Sequence, residues 1–378
     1  MRKKHLFISF LLGVFLFFGT STVFANTADV PIDKDWTFVF NEKLSEQFVS
    51  IIVENNEGKR EHYNVMPNKQ SIQLLPHTLY KENTEYTVYF PQGVTNVHRE
   101  TLNVQPFSFH TEPKRYTRAF ESGYAFTWFF DERQPLEHFY LDGRKDGQLV
   151  AGATKTAKRH YHLPGKVGQT RNEVRRAHQR QKPMSFIIKG YTRYHLPDRH
   201  RIDTYLHNGK YIHYFYDVHN QNKVRLILWT DQKIEQMART YYPAATKTYR
   251  NDSEALILAL INAERAQHRL QPLSTLSNLT SVARAHSQDM INRNYFDHNA
   301  PDGKSPFDRL EINDIPYLAA GENIAVGSMN AFYLHEGLMD SFGHRLNILD
   351  PDFDKVGIGL AFTRDDRPYV TELFIGNE

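Results

Sequence analysis

The spacing of hydrophobic residues changes along the chain, and this change limits the folds open to it. In the first third, apolar and aromatic residues form short runs that alternate with polar residues, a pattern typical of β-strands. In the last third they recur at intervals of three and four residues, as in amphipathic helices. With 378 residues, 40% of them hydrophobic, the chain is long enough for two or three separate cores. The sequence therefore predicts a multidomain protein.

The N-terminal segment indicates export. Basic residues at positions 2–4 precede an apolar run over residues 6–18 and a short polar stretch that ends at Ala25. This is the layout of a secretory signal peptide, so we expect a signal peptide at residues 1–25 and a secreted or cell-surface product. An uncleaved membrane anchor is the alternative. The run is short for a bilayer span and no second one follows, so we expect no transmembrane segment after cleavage.

Composition excludes several classes of function. Removing the predicted signal takes away three of the 46 Lys and Arg residues and none of the 43 acids, which leaves 43 of each. Global charge therefore gives no reason to expect a nucleic-acid partner. The chain has no cysteine, which excludes disulfides, cysteine-ligated metal sites and cysteine nucleophiles. It ends at "FIGNE" without a sorting-type tail, so we expect no covalent anchoring there.

Residues 26–113 predict an all-β sandwich, because at least five short strand-like runs occur between turn residues. The opening "DVPIDKDWTFVFNEKL" and the closing "LNVQPFSFHTE" resemble bacterial immunoglobulin-like (Ig-like) domains of surface-layer type. The resemblance implies a spacer or an anchor, and we assign this domain no chemistry.

Residues 114–245 predict an α+β middle domain. "TRNEVRRAHQ" is consistent with a short helix capped by Thr170 with Glu173 in its first turn, and "HNGK" with a hairpin turn. Residues 171–210 contain ten Lys and Arg against three acids. Contact with an anionic polymer of the cell envelope is one interpretation of this charge; solvated strand and helix faces are the other.

Residues 246–378 predict a compact α/β domain. "NDSEALILALINAERAQHRL" and "SNLTSVARAHSQDMINRN" have helical spacing, and Asp252 or Ser253 is expected to cap the first of these helices. "KVGIGLAFT" and "RPYVTELFI" are expected to form a terminal hairpin.

The pair His335–Glu336 suggests a zinc protease, but the spacing excludes one. Such enzymes need a second histidine four residues after the first, and that position holds Met339. Three other polar residues stand in segments where folding does not require them: His298, Glu322 and His344. Two imidazoles and a carboxylate could bind a divalent metal with an open position, or exchange protons without one. They could also be three unrelated polar groups.

Four segments in order, "YFDHNAPDGKSPFDRL", "AGENIAVG", "GLMDSFGHRLNIL" and "DFDKVGIGLAF", resemble the bacterial branch of the CAP superfamily. This superfamily is named after cysteine-rich secretory proteins, antigen 5 and pathogenesis-related proteins. The resemblance implies an α-β-α sandwich with a surface cleft, and His298, Glu322 and His344 match three of the family's cleft positions. "VGQTRNEVRRA" and "YIHYFYDVHNQNKV" are similar to the domain that often precedes bacterial CAP modules.

The sequence departs from the family at the fourth cleft position. Eukaryotic members have a glutamate three residues after a helix tryptophan, where this chain has Ser341 and Leu338. Glu336 and Asp340, four residues apart on one helix face, are substitutes, although we expect both to be exposed.

Four other polar residues are not assigned to the cleft chemistry. We expect His335 to be exposed and His286 to be a hydrogen-bonded histidine of the core or the cleft wall. Asn323 and Asn347 are expected to bind local backbone.

Three functions are compatible with these observations. The first is a secreted or cell-surface CAP protein that binds an extracellular ligand, such as an anionic envelope polymer or a peptide, in the His/Glu cleft. The second is an extracellular hydrolase of peptides or wall polymers, with zinc on His298 and His344 and Glu322 as ligand or general base. The third is a structural wall-associated protein.

Overall fold

The computed structural model describes residues 14–17, 27–40, 42–76, 79–102, 104–113, 116–196, 201–238 and 240–376. Contacts divide the chain into two compact units, Met1–Arg115 (unit 1) and Tyr116–Glu378 (unit 2). Within these described ranges there is no helix long and apolar enough to cross a membrane. The predicted signal peptide lies outside the described residues except for Val14–Phe17, which forms a strand.

Unit 1 is built from strands. In chain order they are β1 (Val14–Phe17), β2 (Thr27–Val30), β3 (Trp36–Phe40), β4 (Val49–Asn55), β5 (Arg60–Val65), β6 (Ser71–Leu74), β7 (Glu85–Tyr89), β8 (Val94–Thr95), β9 (Thr101–Leu102) and β10 (Phe107–Thr111). They form a three-stranded sheet (β1-β3-β6), a five-stranded sheet (β2-β10-β7-β4-β5) and the pair β8-β9. Side chains alternate between core and surface along β3, β4 and β10. The buried residues of both larger sheets share one core, as in a β-sandwich.

The first half of unit 2 is a seven-stranded antiparallel sheet with short helices. Its elements are β11 (Arg118–Glu121), β12 (Thr127–Phe130), a 3₁₀ turn (Leu136–His138), β13 (Tyr140–Lys145), β14 (Gln148–Thr154), α1 (Arg171–Ala177), β15 (Phe186–Lys189), β16 (Thr192–His195), β17 (Ile202–His207), β18 (Lys210–Asp217), β19 (Lys223–Asp231) and α2 (Gln232–Met237). The strand order is β11-β12-β13-β14-β19-β18-β17, and β15 and β16 pair separately.

Two local predictions for this half are confirmed. Thr170 and Glu173 form a capping box at the start of α1, in which each side chain meets the backbone N–H of the other residue. Asn208 and Gly209 join β17 to β18 with φ angles of 47° and 73°, the left-handed values that a two-residue hairpin of type I′ needs.

The second half of unit 2 has three layers. Its elements are α3 (Lys247–Gln267), α4 (Ser277–Asn292), α5 (Pro306–Ile312), β20 (Ala319–Val326), α6 (Ala331–Asp340), α7 (Phe342–Ile348), β21 (Lys355–Phe362) and β22 (Pro368–Gly376). The strands form an antiparallel sheet in the order β20-β22-β21, and the predicted terminal hairpin β21–β22 is confirmed. One face of β22 packs with α4 and α5 through Leu373 and Ile375, and the other face packs on the core that contains α3 and α6.

Helix α4 lies directly on β21, and two glycines permit this contact. A Cβ atom at Gly357 would lie 2.4 Å from a backbone carbon of Leu279, and one at Gly359 would lie 2.0 Å from the backbone nitrogen of Arg284. Helices α3 and α6 also contact strands of the seven-stranded sheet, so the two halves of unit 2 share one hydrophobic core.

The predicted start of the first long helix is wrong. Helix α3 begins at Lys247 and is capped by Thr246, whose Oγ1 accepts a hydrogen bond from the backbone N–H of Tyr249 at 2.9 Å. Asp252 accepts instead from the backbone N–H of Glu121 at 2.7 Å, which ties α3 to β11. A local pattern cannot show this competition, because the donor is more than 100 residues away in sequence.

Candidate functional site

Glu322 lies at the centre of the predicted cleft, on the edge strand β20, with its side chain only 2% exposed. Both of its carboxylate oxygens are bound. His298 Nδ1 lies 2.8 Å from Oε1, and Arg309 Nη2 donates to Oε2 at 2.6 Å. A buried carboxylate requires such partners, because an unpaired buried charge is costly. The structure therefore brings His298 and Glu322 into direct contact.

Arg309 is a cleft residue that sequence reasoning missed. It lies on α5, which starts at a capping box formed by Ser305 and Asp308. Its Nη2 binds Glu322, and its Nη1 donates to the backbone carbonyl of His298 at 3.0 Å. The guanidinium of Arg309 therefore holds both the carboxylate of Glu322 and the backbone of His298 in place. The capping box predicts the helix start, but nothing in the spacing indicates which carboxylate the arginine binds.

A third histidine faces the same carboxylate from α4. His286 is 2% exposed, and its Nε2 lies 3.9 Å from Glu322 Oε1. Its Nδ1 lies 3.4 Å from the hydroxyl of Tyr295. Burial lowers the pKa of His286, more than the charge of Glu322 raises it. The expectation of a core or cleft-wall histidine is thus met, and the wall it forms belongs to the Glu322 site.

His344 lies on α7 and is partly buried. Asn323 Nδ2 donates to its backbone carbonyl at 3.2 Å and to Glu372 Oε2 at 3.0 Å. Asn347 Nδ2 donates to the backbone carbonyl of Glu322 and to Asn323 Oδ1. Both amides thus bind backbone, as predicted, but this backbone is not local, because their partners are at least 21 residues away in sequence. These amides tie α7, and with it His344, to β20.

The two cleft histidines have opposite pKa shifts. The hydrogen bond to Glu322 raises the pKa of His298, which favours its protonated form. Burial, and then the nearby charge of His298, lowers the pKa of His344 and favours its neutral form. The side chain of His298 is 46% exposed, so its imidazole remains open to a ligand.

The cleft does not present three ready metal ligands. In the part of the chain that the structure describes, His298, Glu322 and His344 do not bring three ligand atoms within 4.8 Å of one another. Both oxygens of Glu322 are already bound, one of them by a cation. His298 Nε2 and a nitrogen of His344 remain as ligand candidates. Glu322 would then support His298 through Nδ1, as carboxylates do behind metal-bound histidines.

The expected exposure of His335, Glu336 and Asp340 is wrong. These residues lie on α6 and are 0%, 1% and 8% exposed. Helix α6 packs between the two halves of unit 2, and the partners of its acids come from the seven-stranded sheet. Arg225 on β19 donates to Glu336 Oε2 at 2.6 Å and to Asp340 Oδ1 at 3.0 Å. Glu336 and Asp340 are thus engaged in ion pairs and do not replace the missing fourth acid of the cleft.

A second cation completes this cluster. Lys155 directly follows β14, and its Nζ lies 2.8 Å from both Glu336 Oε1 and Glu264 Oε2, with all three side chains almost fully buried. Burial raises the pKa of Glu336, but the charges of Arg225 and Lys155 outweigh it, and the net pKa is lowered. Burial, opposed only in part by Arg225, raises the pKa of Asp340 to about 6. We call Lys155, Arg225, Glu264, Glu336 and Asp340 the buried ion cluster.

Two acids of the buried ion cluster form, with the neighbouring His335, a group that could hold a metal ion. Ligand atoms of Glu264, His335 and Glu336 lie within 4.8 Å of one another. The ammonium of Lys155, however, already lies between the two carboxylates, and a divalent cation would have to displace it. His335 has no hydrogen-bond partner among the described residues, and burial, followed by the charge of Lys155, lowers its pKa to about 3. A divalent metal ion and the Lys155 side chain could therefore not both occupy the space between these two carboxylates.

Comparison with known proteins identifies the domains. Residues 258–374 match the model of the cysteine-rich secretory protein family, and residues 19–111 match the model of a bacterial Ig-like domain. The chain is 40% identical over 137 residues to the uncharacterized protein YkwD of Bacillus subtilis (strain 168), a match that covers 36% of this chain and 51% of that protein. It is 37% identical over 129 residues to the uncharacterized membrane protein YlbC of the same organism, covering 34% of this chain and 36% of that protein.

Two solved structures share the fold. An extracellular protein containing a SCP domain from Bacillus anthracis str. Ames has a TM-score of 0.60 at 22% identity, covering 70% of this chain and 89% of that one. A cysteine-rich secretory protein from Staphylococcus aureus subsp. aureus Mu50 has a TM-score of 0.54 at 15% identity, covering 70% and 87%. The chain therefore carries a domain of the cysteine-rich secretory protein (CAP) family at residues 258–374 and a bacterial Ig-like domain at residues 19–111.

Proposed function

We propose that this chain is an exported protein of the bacterial cell envelope whose CAP domain binds a ligand in the cleft of His298, Glu322 and His344. The Ig-like domain would act as a spacer or an attachment module. Two observations support export: the N-terminal segment has the layout of a signal peptide, and the Bacillus anthracis protein of the same fold is an extracellular protein.

One observation carries the proposed site. The buried carboxylate of Glu322 holds His298 at 2.8 Å, yet the side chain of His298 remains 46% exposed. The fixed and open imidazole of His298 is suited to a ligand with hydrogen-bond acceptors or negative charge, and we infer that the partly buried His344 contributes to the same cleft. An anionic envelope polymer and a peptide both meet this requirement.

Co-sedimentation of the full chain with insoluble peptidoglycan tests the proposal. We expect saturable binding by the wild type and at least about tenfold weaker binding by the double variant His298→Ala/His344→Ala. The loss of a hydrogen bond to a charged group costs more than the about 1.4 kcal/mol that corresponds to a factor of ten. The exposed His98→Ala in unit 1 is the matched control and should bind like the wild type. Equal binding by the double variant would place the binding site outside the cleft and favour a structural role.

A metal-dependent hydrolase is the second candidate, favoured by the pairing of His298 Nδ1 with a buried carboxylate, which resembles the support of metal-bound histidines. Zinc titration by calorimetry on the full chain distinguishes the two functions. One tight site that the double variant lacks would justify a screen for hydrolysis with and without chelator. Peptidoglycan binding that persists in chelator, without a zinc site, would leave the binding function alone.

A further inference from the structure

A segment in the first half of unit 2 carries a surplus of positive charge outside the His/Glu cleft. Residues 174–196 contain six Lys and Arg residues and neither an aspartate nor a glutamate. Lys189 is buried, and its Nζ lies 3.1 Å from Glu235 Oε2. The other five are at least partly exposed, and we call them the basic patch: Arg175, Arg176, Arg180, Lys182 and Arg193.

Most of the charge of the basic patch has no partner within the chain. Arg175 Nε lies 3.4 Å from Asp203 Oδ2, but Arg171 already binds both oxygens of that carboxylate. The other four residues of the patch form no ion pair with any residue that the structure describes. Like charges so close together repel one another, so an anion that contacts several of them would lower this repulsion.

The backbone that carries the patch is held in place. Helix α1 ends in a Schellman motif, in which the backbone N–H of Arg180 donates to the carbonyl of Arg175 at 2.8 Å. His178 lies between these two residues and is 3% exposed, and its ring stacks on that of Tyr205 with 3.8 Å between the ring centroids. A ligand of the patch therefore does not have to order this backbone when it binds.

Folding alone does not account for the charges that follow α1. The helix dipole favours cations in the last turn of the helix, which explains Arg175 and Arg176. Arg180 and Lys182 lie beyond the end of the helix. Arg180 also has a φ angle of 60°, in the left-handed region where glycine is less strained. A cation thus occupies a position at which the backbone favours another residue.

The hairpin β15–β16 extends the patch. The guanidinium of Arg193 on β16 lies 4.1 Å from the ring centroid of Phe186, the first residue of β15, which follows Lys182 by four residues. The cations are therefore spread along the surface from α1 to the hairpin, an arrangement suited to an extended polymer with repeated charges. Four of the five are arginines, whose planar guanidinium forms paired hydrogen bonds with phosphate.

We propose that the basic patch binds a linear polymer of the cell envelope with repeated phosphate groups, and that it attaches unit 2 to the envelope. The N-terminal segment has the layout of a signal peptide, so we expect the chain outside the cytoplasm, where it would meet envelope polymers and not nucleic acids. The site is independent of the His/Glu cleft and does not rest on the function proposed for it.

Calorimetric titration of the full chain with purified poly(glycerol phosphate) tests the proposal. We expect saturable binding by the wild type and at least about tenfold weaker binding by the triple variant Arg176→Gln/Arg180→Gln/Lys182→Gln, because each exposed cation adds to the attraction of a polyanion. The affinity should also fall as salt is added. A plot of log affinity against log salt concentration should be less steep for the triple variant by about 2, since three fewer cations displace counterions from the polymer.

Lys247→Gln/Arg269→Gln/Arg364→Gln is the matched control. It also removes one lysine and two arginines, all of them exposed in the second half of unit 2, and Arg269 has the same left-handed φ angle of 60° as the arginine after α1. The net charge falls equally in both triple variants, so binding by the control should change less than about twofold. The double variant of the cleft histidines should bind like the wild type.

Three results would each overturn the proposal. Equal losses in the two triple variants would show that net charge, and not the basic patch, attracts the polymer. Absence of saturable binding up to about 1 mM phosphate would show that there is no such site. Tighter binding of a single-stranded DNA with the same number of phosphates would assign the patch to nucleic acid instead of an envelope polymer.

Discussion

Glu372 provides the sharpest test of how unit 2 is packed behind the cleft. Its side chain lies in the interior on β22 and is 0% exposed. Its Oε2 accepts one hydrogen bond, from Asn323 Nδ2 at 3.0 Å, and its Oε1 has no partner among the described residues. Burial without a neutralising cation raises its pKa to about 7, and the hydrogen bond from Asn323 offsets this only in part. The carboxyl group of Glu372 is therefore mostly protonated in the folded protein below about pH 7.

The effect on stability follows from the difference between the folded and unfolded states. In the unfolded chain the pKa of Glu372 is 4.5, and in the folded chain it is about 7. Between these values the unfolded state loses a proton that the folded state keeps, so the free energy of unfolding falls as pH rises from about 4.5 to about 7. At about 1.4 kcal/mol for each pKa unit, the total is about 3 kcal/mol for this fully buried group.

Glu372→Gln keeps the shape of the protonated side chain and removes its titration. We expect the free energy of unfolding of the variant, relative to that of the wild type, to rise by about 2.5 kcal/mol from pH 5 to pH 8, measured by urea unfolding followed with tryptophan fluorescence. Glu311→Gln, at an exposed position on α5, controls for the loss of one negative charge. If Glu372→Gln and the wild type show the same pH dependence, Glu372 is ionised in the folded protein and the reasoning fails.

Two further substitutions test the packing of unit 2 by the same unfolding measurement. Lys155→Met removes the ammonium between Glu264 and Glu336 and should lower the free energy of unfolding by about 3 kcal/mol, because it leaves the buried carboxylates without that partner. A decrease of less than about 1 kcal/mol would contradict this account. Gly359→Ala should lower the free energy of unfolding by more than about 2 kcal/mol, since its Cβ would lie 2.0 Å from the backbone of α4. Gly337→Ala, on the exposed surface of α6, should instead raise it by about 0.5–1 kcal/mol. A loss from both glycine substitutions would point to a general intolerance of unit 2 instead of a local clash.

The elements that sequence reasoning predicted correctly depend on neighbours in the chain. The capping box of Thr170 and Glu173 and the turn at Asn208–Gly209 need only a few residues, and their signals lie within those residues. The terminal hairpin likewise follows from two alternating runs joined by a short polar turn.

The predictions that are wrong concern residues whose binding partners lie far away in the sequence. Glu336 was expected at the surface because charged residues are seldom buried alone, but its two cations lie 181 and 111 residues away in sequence. The same limit applies in the cleft, where the positions of His298 and Glu322 were visible in the motifs but the arginine that binds the carboxylate was not. Long-range charge pairing leaves no periodic signal in a single sequence.

The buried ion cluster has a practical consequence for work on this protein in fragments. A fragment that starts at residue 246 would retain Glu264, Glu336 and Asp340 but lose Lys155 and Arg225, the cations that compensate them. Three acids would then face water across a newly exposed apolar surface, so we expect such a fragment to be unstable and prone to aggregation near neutral pH. The region that matches the family model, residues 258–374, would then be shorter than the region that folds cooperatively, unit 2. A fragment for expression should therefore begin near Tyr116, where unit 2 starts.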